Sequence, residues 1–80
     1  MKLEISTPHK TLFNGEVSAV QCPGKDGLFQ VLNHHAPMIA ALGKGSVKID
    51  LPNGEPHPLI NVRRGVLQVL NNTVTILISE

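Results

Sequence analysis

The chain has 80 residues, a formal charge of +1 and 41% hydrophobic content, with two Phe and neither Trp nor Tyr. That bounds it to one domain, residues 1–80, with an aliphatic core and about 60–65% of the unfolded chain's surface buried. So little charge without stacking rings excludes a nucleic-acid binder, and the lone Cys22 excludes an intramolecular disulfide. No apolar run reaches the ~18 residues that span a bilayer, and no signal peptide precedes the first apolar segment. The sequence therefore reads as soluble and cytoplasmic, meeting any membrane protein from outside the lipid.

Residues 2–6 (KLEIS) alternate with period two, Leu3 and Ile5 on one face, and predict a half-buried strand. Thr7-Pro8 interrupts it. Leu12 and Phe13 lead into Asn14-Gly15, a pair that tolerates positive φ and predicts a tight reversal. Residues 16–22 (EVSAVQC) resume an extended, β-branched run that stops at Pro23-Gly24. From Pro23 to Gly45 the alternation is lost, and irregular segments on a regular scaffold are where binding residues concentrate. Within it, residues 36–42 (APMIAAL) hold helix formers, but two turns are too short to persist unpacked, and an extended segment is preferred.

Beyond Gly45 the pattern is cleaner. Val47, Ile49 and Leu51 alternate with Ser46, Lys48 and Asp50; Pro52-Asn53-Gly54 reverses the chain, and residues 57–62 (HPLINV) return alongside. Residues 66–70 and 73–78 flank Asn71-Asn72 as a second hairpin, with Val74, Ile76 and Ile78 on one face and Leu77 on the other. Strands every 8–12 residues with turn chemistry between them predict an all-β antiparallel sandwich or barrel. The apolar excess on the last strand and in residues 36–42 points to a face buried against another protein.

The candidate chemistry is thin. His34 and His35 invite a metal reading, with His9 and His57 as further ligands, but neighbours on a strand point to opposite faces and zinc needs three or four convergent ligands. Cys22 has no nearby cation to activate it and reads as a small core residue. The serines lack a nucleophile elbow, and Glu4, Glu16, Glu55 and Glu80 stand apart on strand ends or wet faces. Pro23-Gly24-Lys25-Asp26-Gly27 lacks the following helix that a phosphate loop needs, and reads as a tight turn using Gly24 and Gly27 for positive φ. Arg63-Arg64 is either a charged sheet edge that discourages aggregation or a partner for an acidic surface. No active site, metal or cofactor is expected; a binding module is favoured. The alternative is a small metal-binding β-barrel enzyme using His35 and His57.

Ordered motifs carry a resemblance. Pro23-Gly24-x-x-Gly27 with Phe29, Val31 and Leu32, then His35-Ala36-Pro37-Met38-Ile39, then Leu42, Gly45 and Ile49, resembles the epsilon subunit of F-type ATP synthases. Leu12-Phe13-x-Gly15-Glu16-Val17-x-x-Val20 is similar to that family's second motif. Gly65-Val66-Leu67-x-Val69 followed by Asn72-x-Val74-Thr75-Ile76-Leu77 is similar to its closing hairpin. Single pieces are weak, but the collinear set is specific.

The resemblance implies a flattened antiparallel β-sandwich of two sheets, about eight to ten short strands in all. It implies a non-catalytic central-stalk subunit between the gamma subunit and the membrane c-ring, coupling ion-driven rotation to ATP synthesis. The Pro23, Gly24, Lys25, Asp26, Gly27, Leu28 loop would then face the c-ring loops. His35, Ala36, Pro37, Met38 and Ala40 would lie at the gamma contact. The implied location is the cytoplasmic face of the bacterial inner membrane, peripheral and reached through the c-ring. Gln30, Asn33 and Arg64 stand where the family often has Gly, Pro and Gly. Most members continue into a two-helix hairpin; this sequence stops at Glu80, so neither inhibition nor ATP binding through that hairpin is expected.

Overall fold

In the computed structural model, which describes residues 1–79, nine strands follow one another with no helix among the described residues. They are β1 (Lys2–Ser6), β2 (Thr11–Glu16), β3 (Ala19–Gly24), β4 (Gly27–Leu32), β5 (Met38–Leu42), β6 (Gly45–Asp50), β7 (Ile60–Val62), β8 (Arg64–Leu70) and β9 (Thr73–Ser79). Alternation becomes burial almost residue by residue. In β9, Val74, Ile76 and Ile78 are buried while Thr75 and Leu77 are exposed; in β6, Val47 and Ile49 are buried and Lys48 is wet.

The strands pair in the order β2-β1-β9-β8-β5-β3-β6-β7, with β4 added to β3. One layer is therefore β2-β1-β9-β8-β5 and the other β4-β3-β6-β7, and a single pairing, Gly24 with Leu42, joins them into one curled sheet. The all-β sandwich is as expected, with one exception to its antiparallel pairing. β1 runs parallel to β9, Leu3 opposite Val74 and Ile5 opposite Ile76. These strands lie at opposite ends of the sequence, so no hairpin dictates their direction, whereas sequential neighbours joined by tight turns must run antiparallel. Leu3, Ile5, Leu67, Val69, Val74 and Ile76 of one layer share a cluster with Val20, Cys22, Val31, Val47, Ile49 and Val62 of the other. Each such aliphatic burial is worth about 1.5–3 kcal/mol relative to exposure.

Three boundaries differ from expectation. Asn14-Gly15 does not turn: both lie inside β2, opposite Glu4 and Leu3. The reversal falls at Thr7–Lys10, where the Thr7 hydroxyl accepts the N–H groups of His9 and Lys10 at 3.2 Å and the Thr7 N–H donates to Lys10 O at 2.8 Å. Pairing with β1 outweighs the local preference of an Asn-Gly pair. Second, β3 does not stop at Pro23 but runs through Gly24, and the turn is Lys25-Asp26. Pro23 is tolerated in the strand because a two-residue loop closes on Gly24 and Gly27. This puts Pro23 and Leu28 at the next pair, where neither N–H faces the hairpin partner. Third, the return of residues 57–62 is interrupted. Gly45–Val47 pair with Ile60–Val62 and Asp50 bridges Pro56, so residues 48–49 face 57–59 and the extra residue leaves Leu59 exposed. The Asn71-Asn72 hairpin forms as expected, with φ of 51° and 56°, both in the left-handed region that a primed two-residue turn demands.

Gly24 and Gly27 do different work. Gly27, at φ 134°, supplies the positive φ, whereas Gly24 is needed for close approach: a Cβ there would lie 2.6 Å from Gly27 O and 2.8 Å from the Phe29 ring. Gly65 is tighter still, its hypothetical Cβ being 2.5 Å from Leu77 O in the neighbouring strand. Gly65→Ala should therefore destabilise the fold by about 1–3 kcal/mol, read as a lower denaturant midpoint at unchanged slope. Cys22 is fully buried between the layers, and burial pushes its thiol up from 9.0 to about 12. Folding thus favours the protonated thiol, so stability is unaffected below about pH 9 and declines as pH rises from there towards 12. Iodoacetamide at pH 8 should leave the folded chain unmodified and alkylate it fully in denaturant, as mass spectrometry would record.

Candidate functional site

The curl of the sheet opens a groove. β4 pairs with β3 along one edge, and among the described residues its other edge meets no strand. β5 gives one edge to β8 and touches β3 only at Leu42, so residues 38–41 diverge from the β3–β4 hairpin. Between them lies an open cavity of about 540 Å³ lined by Gly24–Phe29 on one wall and Met38–Ala41 on the other. The segment expected to face the c-ring and part of the segment expected to face gamma thus form two walls of one groove. The hairpin tip is pinned across its mouth: the Lys25 N–H donates to Ala41 O at 3.0 Å and the Gly43 N–H to Pro23 O at 2.8 Å. Leu28, at 69% exposed, is an uncovered apolar side chain on the tip.

The link between β4 and β5 is held from three sides. Asn33 Oδ1 accepts from the Met1 amine at 2.6 Å; that amine also donates to Val17 O and lies 3.3 Å from Glu16. The His34 N–H donates to Asn72 Oδ1 in the β8–β9 turn at 2.8 Å, and the His35 N–H to Leu32 O at 3.2 Å. His34 takes a left-handed φ of 61°. The two histidines therefore sit in an anchored loop and not on a strand. His35, Ala36 and Pro37 are exposed, presented on a bend whose position three tethers define.

His35 and His57 do not converge. His35 Nδ1 is 2.8 Å from Ala36 O, while His57, on the β6–β7 connection, has Nδ1 2.8 Å from Pro58 O and stands edge-on to Phe13. Among the described residues no group of three or more His, Cys, Asp or Glu could hold a metal ion. Cys22 lies in the core and opens onto no cleft.

Strand parity divides β5 in a way the sequence reading did not use. Met38 and Ala40 are half-buried and pack against the core, whereas Ile39 is 76% exposed and Ala41 also faces outwards. Register carries that outer face across the layer: Ile39 lies opposite Gln68, Ala41 opposite Val66, and Val66 opposite Leu77. Ile39, Val66, Leu70 and Leu77 thereby share one outward strip of the sandwich, interrupted by the exposed Gln68 and Thr75. Leu77 was legible as pointing away from the core. Ile39 was recoverable from the same alternation, since it stands one residue from Met38.

A family model described as ATP synthase, Delta/Epsilon chain, beta-sandwich domain matches residues 1–80. The ATP synthase epsilon chain of Chlorobium limicola is 39% identical over 79 residues, 99% of this chain and 89% of that protein. The ATP synthase epsilon chain of Leptospira borgpetersenii is 39% identical over 77 residues, 96% of this chain but 59% of its own length. Among solved structures, a chain of the Euglena gracilis mitochondrial ATP synthase OSCP/F1/c-ring assembly superposes with TM-score 0.89 at 20% identity, covering 98% of this chain and 49% of that one. A chain of the Tetrahymena thermophila mitochondrial ATP synthase central stalk/c-ring gives 0.81 at 19% identity, covering 99% and 63%.

Proposed function

The chain belongs to the ATP synthase delta/epsilon β-sandwich family, and from that membership we propose that it is a rotor subunit linking the gamma subunit to the c-ring. It is a non-catalytic, epsilon-type part of the complex. The full-length match to epsilon chains carries this reading, and the site geometry is what such a joint requires. Coupling rotation needs surfaces that keep their shape under load, and both contact segments are tied down by hydrogen bonds, some between backbone groups and others to the Asn33 and Asn72 side chains. No helix among the described residues is long and apolar enough to cross a membrane, in keeping with a peripheral subunit. The cytoplasmic face of a bacterial membrane is the setting we assign it.

Within that reading, Pro23, Gly24, Lys25, Asp26, Gly27 and Leu28 meet the c-ring loops, with Leu28 the apolar anchor. His35, Ala36 and Pro37 supply the exposed part of the gamma contact. Met38 and Ala40 support that contact from beneath, being packed on the core, and Ile39 extends it outwards. A few well-packed residues near the centre of an interface carry most of its energy.

Gamma titrated to a hundredfold over its Kd should add about 2.7 kcal/mol to the stability of the folded chain, raising its Tm in a thermal melt. Ile39→Asp should abolish that shift without lowering the unliganded Tm, because the side chain is already in water. Leu28→Asp should leave the gamma shift intact and reduce recovery of c-ring with gamma and this chain in a pull-down. A folded chain that gives no shift at saturating gamma would overturn the reading.

A further inference from the structure

Charge is not spread evenly over this molecule. Of the seven basic residues, Lys10, Lys25, Lys44, Arg63 and Arg64 all fall at one end of the sandwich. The pairings bring them there. Lys25 follows Gly24, which meets Leu42; Lys44 precedes Gly45, which pairs with Val62; Arg63 follows Val62; and Arg64 pairs with Ser79. Asp26 is the described carboxylate in these turns, whereas Glu16, Asp50 and Glu55 lie towards the other end. Among the described residues the one ion pair is that of the Met1 amine with Glu16, so none of the five cations is neutralised by a described carboxylate within 4.0 Å.

Three of them share a cavity. Lys25, Arg63 and Arg64 line a hollow of about 400 Å³, together with the backbone of Gly43 and Gly65 and with Ser79. Arg63 also borders the adjoining hollow that Lys10 lines. Like charges held on rigid turns repel one another, and a shared anion between them relieves that repulsion. Guanidinium groups pair in bidentate fashion with tetrahedral oxyanions, and glycine leaves room for close approach to the backbone.

We propose that this end of the sandwich is a binding site for a phosphate group, held between Arg63, Arg64 and Lys25 with Ser79 as a hydroxyl partner. The site adjoins the groove assigned to the c-ring and gamma, with Lys25 and Ala41 lining both, but Arg63, Arg64 and Ser79 lie outside that groove. Its ligand is a phosphate-bearing anion, either free in solution or displayed as an anionic lipid headgroup beside the rotor.

Two probes separate the sources. Inorganic pyrophosphate is titrated into the 80-residue chain by calorimetry, with amide shifts followed at Lys25, Gly43, Gly65 and Ser79. Flotation is run with phosphatidylglycerol-containing vesicles and with pure phosphatidylcholine vesicles. Pyrophosphate binding assigns a soluble ligand; binding to the anionic vesicles alone assigns the headgroup. In either case the double variant R63Q/R64Q should weaken binding about tenfold or more, while K2Q/K48Q, with the same net charge, should match the parent. All four side chains are exposed, so both variants keep the parent Tm. Failure of both probes, or equal losses in the two variants, would overturn the proposal and leave the ring and gamma contacts untouched.

Discussion

The fold depends on how β3 divides one edge between two layers. Its other edge is taken by β4 over its whole length. On the shared edge, Ala19–Gln21 pair with β6, and three residues later Gly24 pairs with β5. At the change-over stands Pro23, whose missing N–H asks for no partner, packed against Gly45 so closely that a Cβ at position 45 would come within 2.6 Å of its own. A side chain there would push β6 away from β3 at the point where β3 changes partner. The corner is thus made of residues chosen for what they lack: a donor at Pro23, and side chains at Gly24 and Gly45. Such a bend is one of the few ways a short sheet can fold onto itself and still pair its buried backbone.

The groove follows from that same corner. Because β5 touches β3 at a single position, its first four residues are released from the second layer, and β4 is left with a bare edge opposite them. An exposed edge is a liability in a free protein. Here it is short, ends in a charged turn at Lys25-Asp26, and faces a wall in which half-buried Met38 and Ala40 alternate with exposed Ile39 and Ala41. The groove thus combines an unpaired strand edge with exposed apolar side chains at Leu28 and Ile39.

Where the sequence was legible, one signal dominated. β1 and β6 alternate apolar with polar residues, β8 and β9 keep one wholly apolar face despite the outward Val66, Leu70 and Leu77, and the burial pattern of each follows the period of two. Where it misled, local chemistry competed with a distant partner. Asn14-Gly15 carries a strong turn preference, yet Leu3 and Glu4 claim it for a ladder, and nothing nearby in the chain announces that. Pro23-Gly24 punctuates like a strand end, but the strand passes through because the proline falls where no hydrogen bond is wanted. The parallel contact of β1 with β9 joins opposite ends of the chain, beyond the reach of any window. The site divides in the same way. The resemblance pointed to residues 23–28 and to residues 35–38 with 40 as contacts, but it did not distinguish the two faces of β5, where Met38 and Ala40 are half-buried and Ile39 is exposed.

A rotor joint has no reaction to perform, and the molecule's chemistry is correspondingly quiet. Its thiol is held neutral in the core, and two of its histidine rings have Nδ1 within hydrogen-bond distance of neighbouring carbonyls. The residues left uncommitted are apolar on one face and cationic at one end. That division bears on how such a subunit could work. Apolar contact at Leu28, Ile39 and the adjoining strip is insensitive to salt and suits a permanent joint. Cations at Arg63, Arg64 and Lys25 act through screened, reversible attraction and suit a contact that is made and released. A joint between parts of a larger assembly has use for both kinds. The curled sheet supplies them from one corner, since the Gly24–Leu42 junction that opens the groove also gathers the basic turns beneath it.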